Sequence, residues 1–154
     1  MFAVIETGLL KRTSCQPLAV SLLNVAVASD GSVYVAEFGN HRIQKFNASG
    51  AYVTKWGTFG TANGQFSSPT GVAVDANGDV YVADFGNNRV QKFDLEGNVQ
   101  KAWGKFGFAW RGADMGKFDV PWALATDQEG NVYVSDTSNS RIQKFQPDGQ
   151  PLLK

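Results

Sequence analysis

Short runs of apolar or alternating residues, four to six long, recur along this chain, separated by glycine, asparagine and aspartate. In the stretch Gly71 to Gly104 these runs are Gly71–Asp75, Val80–Ala83, Arg89–Asp94 and Val99–Trp103. Each is rich in valine or aromatic residues and bounded by turn formers, the pattern of strands joined by tight turns. Asn77-Gly78 is the strongest hairpin signal, since both residues tolerate positive φ. The stretch is predicted to be a four-stranded antiparallel meander.

The meander repeats. Tyr34, Tyr81 and Tyr133 mark one position in three copies, at intervals of 47 and 52 residues. The extra five residues fall within Phe108–Lys117. Four strands per unit at such a period is the mark of a propeller blade. The shared pattern is Pro-x-Gly-Val-Ala-Val-Asp, then Gly-x-Val-Tyr-Val-Ala-Asp, then Asn-x-Arg-Val-Gln-Lys-Phe, and it resembles the NHL repeat. The resemblance covers Leu22 to Lys154. It implies an all-β fold of propeller blades, most often six to a ring.

On this reading residues 1–20 are a separate N-terminal segment, and 21–154 hold three blades, at about 21–60, 61–107 and 108–154. The first copy has Leu22-Leu23-Asn24 where the others have Pro69-Thr70-Gly71 and Pro121-Trp122-Ala123. Its inner strand is expected at Asn24–Ala28, with Asp30-Gly31 as the turn. The third blade reaches only the start of its outer strand, Pro151–Lys154. Three blades do not close a ring, since propellers have about four to eight. The expectation is therefore six blades, completed by further sequence or by two copies joined as half-rings. In the second case Phe2–Ile5 is a candidate strand for completing the third blade of the partner copy.

Composition changes this picture little. The 154 residues carry 14 basic and 14 acidic side chains, so no charge excess announces nucleic acid. Cys15 is the single cysteine and forms no internal disulfide. No apolar run approaches the roughly 20 residues needed to cross a bilayer, so membrane insertion is not expected. Met1–Leu10 carries Glu6 and lacks a basic leader, a poor signal peptide. No compartment follows from these features.

A carboxylate, an asparagine and an arginine recur as Glu37/Asn40/Arg42, Asp84/Asn87/Arg89 and Asp136/Asn139/Arg141. An active site is rarely copied in every blade, whereas a structural clamp is. A bidentate pair across each loop is expected to fix it. Trp56 and Trp103 repeat on outer strands and read as packing between blades. With His41 as the only histidine, no catalytic zinc set is expected. No cofactor is implied: a nucleophile elbow and a phosphate-binding glycine loop are both missing from the sequence. Ala26, Ala73 and Ala125 are expected to line the central channel, where they offer little chemistry.

In such a blade, the loop between the second and third strands emerges at the same end as the connection between blades. That end gathers a candidate ligand-binding face of Phe38, His41, Phe85, Asn88, Lys105, Phe106, Trp110, Arg111 and Lys117. Aromatic and arginine residues on one rigid face are typical anchors. The function expected is a non-catalytic binding or scaffold module for a protein or peptide. RNA binding is the alternative, with His41, Lys105, Arg111 and Lys117 beside Phe106 and Trp110. An enzyme fragment of lyase or lactonase type, with its catalytic groups outside this chain, is a further one.

Overall fold

The computed structural model describes residues 3–6, 9–12, 22–105 and 114–153. Strands β1 (Ala3–Glu6) and β2 (Leu9–Arg12) pair with each other as an antiparallel ribbon. Three four-stranded antiparallel meanders follow. The first blade is β3 (Leu22–Val27), β4 (Val33–Glu37), β5 (Arg42–Phe46) and β6 (Tyr52–Trp56). The second is β7 (Pro69–Val74), β8 (Val80–Asp84), β9 (Arg89–Phe93) and β10 (Val99–Trp103). The third is β11 (Pro121–Thr126), β12 (Val132–Asp136), β13 (Arg141–Phe145) and β14 (Pro151–Leu153).

Phe2 lies outside the described residues. Within one chain Ala3–Glu6 pairs with Leu9–Arg12, and the outer edge of the third blade is occupied by β14. The second blade's inner strand begins at Pro69, two residues before its expected start at Gly71. Proline lacks an N–H and suits the first position of a strand, and the register shifts between Pro69 and Gly71.

The hairpin at Asn77-Gly78 differs from expectation. The turn is wider, with Asp75 N–H donating to Asp79 O at 3.1 Å and Gly78 N–H to Asp75 O at 3.1 Å. Gly78 takes positive φ (88°), but Asn77 does not. The Asp75 carboxylate explains this: it accepts the N–H groups of Asn77 (2.9 Å) and Asp79 (3.0 Å), a side-chain turn that holds the longer loop. Asn47, Asp94 and Asp127 act in the same way at equivalent turns. Where that position is Ala28 or Gln146, the aspartate two residues on, Asp30 or Asp148, accepts instead.

Two apolar seams hold the blades together. The first gathers Tyr34, Ala36 and Ile43 of blade one with Phe66, Val72, Val80, Val82 and Phe93. The second gathers Tyr81 and Val90 of blade two with Phe118, Val132, Val134 and Phe145. Trp56 sits between Tyr34 (6.2 Å) and Phe93 (5.8 Å), and Trp103 between Tyr81 (6.2 Å) and Phe145 (6.0 Å). Each indole covers the hairpin glycine of the next blade: a Cβ on Gly97 would lie 2.6 Å from Trp56, and one on Gly149 2.7 Å from Trp103.

The inner strands approach most closely. A Cβ on Gly71 would lie 2.8 Å from the Trp122 carbonyl oxygen. Thr70 Oγ1 donates to Pro121 O (3.3 Å), Thr126 Oγ1 to Val74 O (3.1 Å), and Val72 N–H to Asn24 Oδ1 (3.0 Å). Ala26 packs into the first seam and Ala73 is buried. Ala26 and Ala73 are thus spacers between neighbouring blades, because side chains on an inner strand alternate between the two adjoining sheets, whereas Ala125, on the last inner strand, is exposed.

The two ends of this arc are partly bare. Ile142 is 54% exposed, although Ile43 and Val90 at the same position are fully buried. At the other end Val25 is 44% and Val27 65% exposed, whereas Val72 is buried at 2%.

Candidate functional site

The end of the arc that carries the β4–β5, β8–β9 and β12–β13 loops is built on three buried carboxylates. Each loop is one short 3-10 turn followed by a residue in the left-handed conformation: His41 (φ 53°), Asn88 (52°) and Ser140 (51°). Glu37, Asp84 and Asp136 precede the turns and are wholly buried.

The clamp around Asp84 is wider than a bidentate pair. One oxygen accepts Arg89 Nε at 2.7 Å and Gln91 Nε2 at 3.1 Å. The other accepts the Ser67 N–H at 2.7 Å, and Asn87 Nδ2 reaches both. The remaining guanidinium nitrogens of Arg89 turn away and donate to the carbonyls of Thr61, Ala62 and Gln65, each at 2.8 Å. Gln91 donates to Gln65 O (2.7 Å) and accepts the Gly64 N–H (2.9 Å).

The arginine therefore fastens the incoming connection to the blade, because one Nε–oxygen contact leaves four donors for the loop carbonyls. Asp136, Arg141 and Gln143 repeat the arrangement on Asp114, Gly116, Lys117 and Asp119. In blade one Glu37 pairs with Arg42 and accepts Gln44 Nε2 at 2.8 Å. Gln44, Gln91 and Gln143 are clamp members that the sequence reading missed. Their signal was recurrence two residues after each arginine, on the same strand face.

The candidate face divides into four groups. Phe38 and Phe85 are half-buried with ring centres 6.0 Å apart, and Phe85 meets Trp122 edge-on at 5.7 Å. These three rings make one row across the three blades, with Trp122 44% exposed. Trp122 was not among the expected residues, although Thr70 at the matching position of blade two marks it as a departure from the repeat.

His41 and Asn88 are joints between blades rather than free contacts. His41 Nδ1 accepts the Ser68 N–H at 2.9 Å, and Asn88 Oδ1 accepts the Val120 N–H at 3.0 Å. Lys105 is exposed, while Lys117 pairs with Asp114 and its carbonyl is held by Arg141 and Gln143. Phe106, Trp110 and Arg111 lie outside the described residues.

A groove of about 670 Å³ opens beside the first blade, lined by His41, Arg42, Lys55, Trp56 and Phe59 among others. Phe59 is 69% exposed and tilts against the His41 ring at 4.9 Å. Cationic and aromatic side chains line this groove, and among the described residues no carboxylate does.

At the opposite end, Asp75, Asp127, Lys92 and Lys144 are engaged with the repeated tyrosines. Tyr81 donates to Asp75 (3.0 Å) and Tyr133 to Asp127 (3.1 Å), with Lys92 and Lys144 above the tyrosine rings. Burial, then the neighbouring Asp75, pushes the Tyr81 phenol far above its ordinary range. For Asp127 burial acts upward, but hydrogen bonds from Asn131, Lys144 and Tyr133 outweigh it and hold the carboxyl well below the usual range. Among the described residues no group of three or more His, Cys, Asp or Glu is placed to hold a metal ion. No helix among them is long and apolar enough to cross a membrane.

Comparison with known proteins agrees with this architecture. The family model for the NHL repeat matches residues 23–46, 66–93 and 118–145. Over 42 residues the chain is 48% identical to Protein wech of Drosophila melanogaster, covering 27% of this chain and 5% of that protein. Over 47 residues it is 40% identical to Protein lin-41 of Caenorhabditis elegans, covering 30% of this chain and 4% of that protein. Over 42 residues it is 45% identical to E3 ubiquitin-protein ligase TRIM71 of Rattus norvegicus, again covering 27% and 5%. The matched parts are thus small fractions of much longer relatives.

Among solved structures, a streptogramin B lyase superposes with a TM-score of 0.71 at 16% identity, over 98% of this chain and 46% of that one. A chain of a nidogen/laminin complex gives 0.68 at 19%, over 99% and 59%. The WD40 repeats of RRP9 give 0.68 at 14%, over 94% and 40%. At such identities the likeness establishes the propeller fold and carries no chemistry.

Proposed function

The chain belongs to the NHL-repeat family, and from that premise we propose that it is a non-catalytic binding or scaffold module whose loop-end face holds a protein or peptide. The observation that carries this reading is the row Phe38–Phe85–Trp122. Its members are not demanded by the repeat, since blade three has Thr137 where the others have phenylalanine and blade two has Thr70 where blade three has Trp122. Rings of this kind on a rigid scaffold give large contact area at low entropic cost. The three buried carboxylates of the same end, Glu37, Asp84 and Asp136, are engaged in the clamps, which supports recognition by the rings above them. The ring of blades is completed by a second copy or by adjoining sequence, because each bare end matches a face that is covered inside the arc.

The test is selection of binders from a displayed peptide library, followed by Trp122→Ala and Phe85→Ala. Binding falls at least tenfold in both variants while the thermal midpoint stays close to wild type. Binders indifferent to both substitutions overturn the reading. Retention of single-stranded RNA, with affinity falling steeply as salt rises, would favour the nucleic-acid alternative, centred on Lys55, His41 and Phe59 of the groove.

A further inference from the structure

The two seams between blades are closed by side chains of different chemistry at one equivalent position. In the second seam Asn88 Oδ1 accepts the Val120 N–H at 3.0 Å. In the first seam His41 Nδ1 accepts the Ser68 N–H at 2.9 Å. Both donors precede a proline and have positive φ, 56° at Ser68 and 61° at Val120, so each bond holds a backbone turn that the chain does not favour on its own. An amide oxygen accepts at any ordinary pH. An imidazole nitrogen accepts only while it carries no proton, and imidazole takes up its proton within the physiological range.

We propose that the seam between the first and second blades is a proton-sensitive joint, closed by neutral His41 and loosened when the imidazole is protonated, while the second seam is indifferent to pH. Protonation at Nδ1 turns the acceptor into a donor that faces the Ser68 N–H. The surrounding charges do not compensate. On its own blade Arg42 is paired with Glu37. Lys55 lines the same groove from β6 and adds a like charge. In blade two Asp84 is engaged by Arg89 and by the N–H of Ser67, next to the affected bond. Phe59, packed on the imidazole, is neutral. The joint is therefore closed while Nδ1 carries no proton and loosened once it takes one up.

Nuclear magnetic resonance of the intact chain between pH 8 and pH 5 tests this. At pH 8 the His41 ring nitrogens should show hydrogen on Nε2 and none on Nδ1. As the ring titrates, protection of the Ser68 amide from exchange, corrected for the intrinsic pH dependence, should fall about tenfold, the scale of one lost hydrogen bond. Protection of the Val120 amide should not change. His41→Asn, which copies Asn88, should keep the Ser68 amide protected throughout. The proposal is overturned if the ring titrates without loss of Ser68 protection. It is also overturned if Val120 loses as much, or if the His41 ring never titrates over this range.

Discussion

At position 28 the chain departs from its own pattern, and one side chain registers the loss. Asp75 and Asp127 accept the hydroxyls of Tyr81 and Tyr133, but the equivalent residue before Tyr34 is Ala28. Among the described residues the buried Tyr34 hydroxyl has no partner, and Lys45 reaches Leu95 O instead. Restoring the acceptor with Ala28→Asp is expected to stabilise the fold by about 1 kcal/mol, read by denaturant unfolding. Arg89→Ala is expected to destabilise it by about 3 kcal/mol, since it leaves the buried Asp84 carboxylate without its charge partner and three loop carbonyls without donors. Unchanged stability in that variant would show that the clamp is dispensable. Arg89→Lys does not rescue, because an ammonium cannot span the same set of acceptors.

Among elements, the strands were legible and their joints were not. Period-2 patterning and flanking glycines placed every strand of blade two within two residues, because half-buried sheets impose that alternation directly. The hairpin at Asn77-Gly78 lies where it is expected, but its turn geometry differs because Asp75, two positions before the dipeptide, decides it. The clamp was legible as a recurring acid, asparagine and arginine, but its fourth member, Gln91, and its real target, the carbonyls of Thr61, Ala62 and Gln65, show only in long-range contacts. The role of Ala73 was misjudged for a related reason: from sequence alone a small residue on an inner strand does not reveal which neighbour it faces. Gly71→Ala is expected to destabilise by about 2 kcal/mol, since its Cβ would meet the backbone of β11 rather than the end of a flexible side chain. The turn aspartates set an acid limit. The Asp127 carboxyl is depressed in the fold, so the stability it contributes is in place above the ordinary carboxylate value of about 3.9 and is lost as pH falls from there toward its folded value. Asp94 adds to this in the same direction through Asn98. Unfolding curves should therefore weaken below about pH 4, and Asp127→Asn should flatten that dependence.

For the whole molecule, the bare apolar positions are the ones that matter. Val25, Val27 and Ile142 are exposed where their counterparts inside the arc are covered, and uncovered apolar sheet faces favour association. Light scattering over a concentration series is expected to show association of this 154-residue chain, reduced in Ile142→Asp and Val27→Asp. A monomer at all concentrations, identical in both variants, would show that the ends need no partner.

The arginine clamp also says something about descent. Arg89 and Gln91 do not grip the strands around them so much as the connection that enters their blade, residues 61–65. A duplicated segment that starts just after Trp56 and runs through Trp103 takes the arginine and its carbonyls together and arrives with its own fastening. A segment cut at Pro69, the visible start of the sheet, would part them. The heritable module of this array is therefore offset from the blade that the eye picks out, and recombination between copies should be tolerated at Gly57–Gly60 and penalised at the strand boundary.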